Sequence, residues 1–523
     1  MKALVYCHGS RGDVQPYLAL AHALNQAGHS ATLVAPRLFA PFAAAYDVDF
    51  AGLDDWSITL WRRPEVRRLR WTSDRRTPET ERRRAALKQE AMDRYPIILK
   101  DMWEAAADGA DIIVHSQASR EQIAQIAEKL GVPNVFAVLY PNFVVSRRYP
   151  AFGRLSDVFS DQVDESGADP YSYIPPQLIT TIEQWRSQTL GLPPREGFLD
   201  FRHRADGSPT PVLHIFSPHV IPPADDWPDT VHTAGFWHLP PAPGWRPPDD
   251  LVRFLEAGEK PVFVGFGSTL SPDPQATARV VLEGVRASGQ RAVVVEGWGG
   301  IQVTDYGEDI LTVKDVPYAW LLPRVRAVVH AGGPGSYNDA LRAGIPQVIC
   351  AFETNQRMWG EHLHRLGVAP PPVMQRELTP EGLAADIRHA VTDPGIAAAA
   401  ARFGTLLAQR TAWGRRSASW VRCTPRGYGG ADAAPPFAAG RTSGGRPYPV
   451  TLQGPPGRPA RDRPDAHGES CTLQWSPRTR RCVAGAAGVT STWRPMRDAS
   501  MRPTPVIEEP GSTIEDSISL SST

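Results

Sequence analysis

Short apolar runs alternate with amphipathic stretches from the first residues of the chain. KALVYCHGS is an apolar run ending at Gly9, and a 3.6-residue period from about Val14 to Ala27, stopped by Gly28, predicts a helix. SATLVAP then reads as a second strand, and the order recurs with DIIVHS (111–116), the helical EQIAQIAEKL closed by Gly131, and NVFAVLY. A second set begins at KPVFVGFGS (260–268) and runs through a helix near 275–287, the strand RAVVVEG, the turn and helix VPYAWLLPRV, and AVVHAGGPGS. It closes with the buried strand PQVICAF and helices near 356–366 and 380–392. Strands alternating with helices predict an α/β chain with two doubly wound, Rossmann-like parallel sheets.

Between Ile221 and Asp250 prolines crowd together (IPPADDWPD, LPPAPGWRPPDD), which helices and central strands tolerate poorly. The expected organisation is therefore an N-terminal domain over 1–221, a proline-rich connection over 222–250 and a second domain over 251–412. A cleft is expected between the carboxyl ends of the two sheets. From Trp413 to Thr523 the chain is rich in Arg, Pro, Gly and Ser with no apolar period, and this tail is expected to be mostly disordered.

Composition narrows the function classes. The 523 residues carry 56 basic and 56 acidic side chains, so the basic excess of a nucleic-acid binder is missing and no nucleic-acid partner is expected. Five cysteines without C-x-x-C spacing do not make a disulfide framework. No apolar run approaches the roughly 20 residues that span a bilayer, and the N-terminus enters a strand directly without a signal-peptide layout. A soluble, cytoplasmic protein is the expectation. The segment 61–95 is strongly basic and holds Trp61 and Trp71. A solvated helix and loop is one reading; peripheral contact with an anionic membrane face is the sharper one.

Two stretches carry candidate chemistry. GSRGDVQP (9–16) places Ser10, Arg11 and Asp13 at the carboxyl end of the first strand, facing the predicted cleft. Asp13 is either a helix cap or a functional carboxylate; the pattern alone leaves both open. The G-x-G-x-x-G dinucleotide fingerprint is absent there. In HAGGPGS, Gly332, Gly333 and Gly335 separate a buried strand from a helix. Glycines allow close backbone approach and a helix N-terminus favours negative charge, so this is a candidate phosphate seat.

GSRGDVQPYLALAHAL, FSPHVIPPADDWPDTVHTAGFW, PVFVGFGS, VPYAWLLPRVRAVVHAGGPGS and WGEHLHRLGVAP occur in this order along the chain. In this combination, over roughly residues 1–410, the chain resembles inverting glycosyltransferases of the GT-B fold. The nearest branch is the bacterial and fungal sterol glucosyltransferases, with the glycopeptide-antibiotic glycosyltransferases more distant. The resemblance implies that the second domain binds a nucleoside-diphosphate sugar and the first a lipophilic hydroxyl acceptor. Sterols, terpenoid alcohols and natural-product aglycones are the candidate acceptors. It implies that Gly332, Gly333, Gly335 and Ser336 seat the diphosphate, with Ser10, Arg11, Ser268 and His330 on the donor side. Val316 would meet the nucleobase through its backbone, and Asn355 and Gln356 would hold sugar hydroxyls. Trp298 would lie near the nucleotide or pack a loop.

Asp13 matches the residue proposed as general base in these branches. An acceptor hydroxyl is a poor nucleophile near neutral pH, and a positioned carboxylate that takes its proton is worth about 10²–10⁴ in rate. Backbone amides and the helix dipole would stabilise the leaving diphosphate, so no metal and no cofactor beyond the nucleotide-sugar co-substrate is expected. Two departures stand out. His330-Ala331 replaces the usual His-His, and Asn355-Gln356 replaces an Asp-Gln pair. They motivate an alternative: a catalytically impaired GT-B-fold protein that binds nucleotide or a partner without turnover.

Other signals are demoted. Asp47-Val48-Asp49 has the metal-binding D-x-D form but sits in a stretch that alternates like a strand. His362 and His364 are two apart on a predicted helix and point away from each other, and His8 and His115, at strand ends, are expected to be structural.

Overall fold

The computed structural model describes residues 1–60, 62–71, 77–144, 146, 176–298 and 307–408. The tail from 413 and part of the basic segment, including Trp61, therefore lie outside the described residues.

Seven parallel strands form the first sheet: β1 (Lys2–Tyr6), β2 (Ser30–Pro36), β3 (Asp49–Leu53), β4 (Ile112–His115), β5 (Asn134–Val138), β6 (Val212–His214) and β7 (Val231–Thr233). Their order is β3-β2-β1-β4-β5-β6-β7. Six parallel strands form the second: β8 (Val262–Val264), β9 (Ala292–Val295), β10 (Ile310–Val313), β11 (Ala327–His330), β12 (Gln347–Ala351) and β13 (Val373–Met374), in the order β10-β9-β8-β11-β12-β13. Both sheets are doubly wound. The winding reverses between β1 and β4 in one and between β8 and β11 in the other, and loops after such strands leave a crevice at their carboxyl ends.

The apolar runs explain why the strands lie inside. Ala3, Leu4, Val5 and Tyr6 of β1 are at most 1% exposed; Ala3 and Val5 pack on one face of the sheet, Leu4 and Tyr6 on the other. The second lobe repeats this, with Val262, Val264 and Val329 in one cluster and Phe263 and Val328 in another. A face covered by helices on each side leaves no position for polar alternation, which is why these strands read as continuous apolar runs.

The helix after β1 runs from Arg11 to Gln26, starting earlier than its apolar period because Ser10 and Asp13 cap it, and Pro16 lies within it. The proline-rich segment carries more structure than its composition predicts. Within 222–250, Val231–Thr233 pairs parallel to β6 as the outermost strand. An edge strand of three residues escapes the proline penalty because its flanking prolines owe no hydrogen bond to a further neighbour. The chain also crosses between lobes before this segment: Phe216, Val220 and Ile221 pack with Tyr337, Leu341 and Trp359 of the second lobe. His362 Nε2 closes on the Val220 carbonyl at 2.8 Å. The last described helix, Pro394–Ala408, buries Ala400, Phe403 and Leu407 in the same cluster.

Candidate functional site

A cavity of about 720 Å³ lies between the carboxyl ends of the two sheets. One wall comes from the residues after β1 (Gly9 to Asp13) and from Gln117 after β4. The other comes from the residues after β8 (Phe266 to Leu270), β9 (Glu296 to Trp298), β10 (Lys314, Asp315, Pro317 to Ala319), β11 (Ala331 to Ser336) and β12 (Glu353, Asn355, Gln356). The walls nearly touch at two helix N-termini, where a Cβ built on Gly335 would lie 3.9 Å from Gly12 Cα.

Asp13 caps the first helix and also lines the cavity. Its Oδ2 accepts from the Ser10 backbone N–H at 2.8 Å and from Ser10 Oγ at 3.0 Å, which caps the helix. No hydrogen bond from a described residue reaches Oδ1. Gly9 makes this placement possible: its φ is +137°, and a Cβ there would lie 2.5 Å from Asp13 Oδ2. Burial raises the Asp13 pKa above the ordinary carboxylate value, the two Ser10 hydrogen bonds pull it down, and the Glu353 charge pushes it up. Glu353 follows β12, so two carboxylates from opposite lobes interact across the cavity.

The glycine cluster resolves into distinct parts. Pro334, which has no N–H, takes the first position of the helix Pro334–Ala343, and Gly333 caps it with φ −69°. The N–H groups of Gly335 and Ser336 in that first turn have no carbonyl to reach within the helix, so they and Gly333 aim at the cavity with the positive end of the dipole. Ser336 is also hydrogen-bonded to Tyr318, whose hydroxyl pKa is pushed up to about 12, chiefly by burial. Gly332 is of another kind. Its φ is +91° and a Cβ there would lie 2.9 Å from the Gln356 carbonyl oxygen.

Ser10, Arg11, Asp13, Ser268, Gly332, Gly333, Gly335, Ser336, Asn355 and Gln356 all line the one cavity. Val316 and His330 stand behind its wall. Val316 is 1% exposed with its side chain in the core under β10; the contact expected of it was through the backbone. His330 is fully buried, with Nε2 2.9 Å from Gln347 Oε1 and Nδ1 accepting from the Gly332 N–H at 3.0 Å. Asn355 Oδ1 accepts from the Gln356 N–H at 2.8 Å, and Gln356 Oε1 accepts from the Phe352 N–H at 2.8 Å. Both amide oxygens are thus engaged within the protein.

Contacts between the lobes that the sequence did not reveal frame the cavity. Arg11 Nη1 donates to both Asp315 oxygens at 2.8 Å, and its guanidinium lies 4.8 Å from the Phe42 ring centroid. The two side chains are 37% and 62% exposed, so the pair contributes little stability and can exchange partners. His238 Nδ1 meets Asp339 Oδ1 at 2.7 Å, and Trp298 stacks on Phe39 with the Arg62 guanidinium 4.1 Å from its ring centroid. Glu353 and Asp315 could have been flagged by one signal: each lies two residues past the end of a strand of the second sheet.

None of the demoted residues lines the cavity. His8 Nε2 lies 3.0 Å from Ser57 Oγ, and His115 Nε2 lies 3.3 Å from Asn134 Nδ2. Burial pushes both imidazoles down to about 4. Among the described residues no group of three His, Cys, Asp or Glu side chains is arranged to hold a metal ion. No described helix is long and apolar enough to cross a membrane.

Two facing doubly wound sheets with a cavity between them define the GT-B fold, and comparison with solved structures agrees. The glycosyltransferase VinC, solved in complex with DTDP, superposes with a TM-score of 0.55 at 19% identity, over 81% of this chain and 99% of that one. CalG4, the calicheamicin glycosyltransferase, gives 0.56 at 17%, over 80% and 97%. Residues 4–145 match the glycosyltransferase family 28 N-terminal domain, and residues 293–410 match the erythromycin biosynthesis protein CIII-like C-terminal domain. O-mycaminosyltylonolide 6-deoxyallosyltransferase of Streptomyces fradiae is 32% identical over 434 residues, covering 78% of this chain and 94% of that protein. The sterol 3-beta-glucosyltransferase UGT80B1 of Arabidopsis thaliana is 30% identical over 400 residues; the match covers 74% of this chain and 62% of that protein. The chain belongs to this family of GT-B glycosyltransferases, which includes sterol and antibiotic glycosyltransferases.

Proposed function

We propose that the chain moves a hexose from a nucleoside-diphosphate sugar to the hydroxyl of a lipophilic acceptor, with inversion at the anomeric carbon. The acceptor class is a sterol, a terpenoid alcohol or a natural-product aglycone. Asp13 takes the acceptor proton from the first lobe. The N–H groups of Gly333, Gly335 and Ser336 hold the diphosphate on the second, and the nucleotide sugar enters as a co-substrate. The observation that carries this reading is the cavity itself: a carboxylate with one unclaimed oxygen and an anion-seeking helix N-terminus line the same space from opposite lobes. The relatives' names, one a deoxyallosyltransferase and one a sterol glucosyltransferase, support the donor and acceptor classes.

The direct assay incubates the protein with radiolabelled uridine- and thymidine-diphosphate sugars and a panel of hydrophobic alcohols. Acceptor-dependent release of nucleotide is expected. Binding without release would favour the second reading, an impaired GT-B protein, which the engaged amide oxygens of Asn355 and Gln356 and the presence of Ala331 support.

The Asp13 environment sets the pH dependence. A general base works only when deprotonated, so a raised pKa moves the acid limb of kcat/KM above the ordinary carboxylate range. Glu353→Gln removes a charge that raises that pKa, and the limb is expected to move to lower pH, measured as a full pH–rate profile.

The basic segment bears on location. Arg82 and Arg83 are exposed on the long helix Pro78–Glu104, Arg83 paired with Glu79, and Arg62 is exposed ahead of the shorter helix Pro64–Trp71. Peripheral contact with an anionic membrane face predicts sedimentation with anionic liposomes that neutral liposomes do not support and that salt weakens.

A further inference from the structure

His330 ends β11 immediately before the glycine turn, yet its ring points away from the cavity. Two hydrogen bonds fix its protonation. The Gly332 N–H can only donate, so Nδ1, 3.0 Å away, must be the bare nitrogen. The ring proton then sits on Nε2 and donates to Gln347 Oε1 at 2.9 Å, which also fixes which way the Gln347 amide faces. His330 and Gln347 are both completely buried, and Val328↔Gln347 and His330↔Ile349 set the register of their adjacent strands. Burial holds the imidazole neutral, its pKa pushed down to about 4.

From these contacts we infer that His330 is a positioning residue, a strap from β12 through Gln347 to the Gly332 amide that fixes the turn from which the diphosphate-binding N–H groups project. Gly332 is held from the other side as well, since no Cβ fits between it and the Gln356 carbonyl oxygen. With its N–H committed to His330, Gly332 contributes shape, and the donors left for an anion are Gly333, Gly335 and Ser336. The strap acts before any ligand arrives. It rests on the donor-site reading above for its effect on nucleotide affinity, but the tautomer is a property of the free protein.

Two substitutions separate the halves of the strap. In His330→Asn the side-chain oxygen falls near the former Nδ1 and can still accept from Gly332, while the link to Gln347 is lost. In His330→Gln the longer side chain reaches Gln347 but leaves the Gly332 N–H without its acceptor. Calorimetric titration of the full chain with UDP and with dTDP should show His330→Asn within about threefold of wild type and His330→Gln weakened about tenfold or more. Each variant loses one buried hydrogen bond, so their melting temperatures should fall together while their affinities split. Equal losses of affinity, or better retention by His330→Gln, would overturn the assignment. Long-range ¹H–¹⁵N spectra of the unliganded protein, with the His330 ring identified by its absence in the variants, should show a protonated Nε2 and a bare Nδ1; the other tautomer would also overturn it. If wild type binds neither nucleotide, the donor-site reading fails, and with it the effect on affinity; the spectra and melting still decide the strap itself.

Discussion

Asp13→Asn is expected to lower kcat by about 10²–10⁴ while leaving the affinity for nucleoside diphosphate unchanged. The substitution is clean because of how Asp13 is held. The Asn oxygen can still accept from the Ser10 N–H and hydroxyl, now at 2.8 and 3.0 Å from Oδ2, so the cap of the helix survives. The change is limited to proton affinity: an amide cannot remove a hydroxyl proton. Steady-state kinetics, nucleotide titration and thermal unfolding on the same sample separate these effects. Loss of turnover with intact binding and melting fits a base. Loss of melting temperature with little change in turnover would leave Asp13 as a helix cap alone.

Gly332→Ala is expected to damage the opposite lobe as severely. The residue's φ of +91° lies where an L side chain is strained, at a cost of about 1–2 kcal/mol. The added methyl would also lie 2.9 Å from the Gln356 carbonyl oxygen, so the turn or the helix Thr354–Arg365 must shift, at roughly 1–3 kcal/mol more. Nucleotide affinity should fall by about tenfold or more, since each displaced donor to a charged phosphate is worth on the order of 1.5–3 kcal/mol. Gly333→Ala is the control for stability. With φ −69° and no atom within 4 Å of a built Cβ, it should melt close to wild type. Equal destabilisation by both changes would mean that the strained turn is not what Gly332 supplies.

The parts of this architecture written locally were legible, and those set by distant partners were not. The central strands announced themselves as unbroken apolar runs because helices cover both sheet faces. The stretch GSRGD and the glycine cluster stood out because each comes between such a strand and a helix. The outlying strands β6, β7 and β13, of two or three residues, carry too little pattern to read and exist because a neighbouring strand offers an open edge; β8 is as short, but it is central and lies within the apolar run PVFVGF. The helix Pro78–Glu104 registered only as a basic stretch, since its buried positions, Leu99, Asp101 and Met102, gather near its end. In the site, Arg11 was expected on the donor, but its partner Asp315 is 304 positions away. His330 was expected on the donor side. Its ring direction is decided by Gln347 on the adjacent strand and by the amide two residues on, neither of which a motif encodes.

The most direct test is a crystal structure of the full chain with a bound nucleoside diphosphate. The diphosphate is predicted to lie on the N–H groups of Gly333, Gly335 and Ser336, with its terminal phosphate turned toward Asp13 across the cavity. A nucleotide bound elsewhere, or a phosphate on this seat with the Asp13 carboxylate facing away from it, would contradict the account.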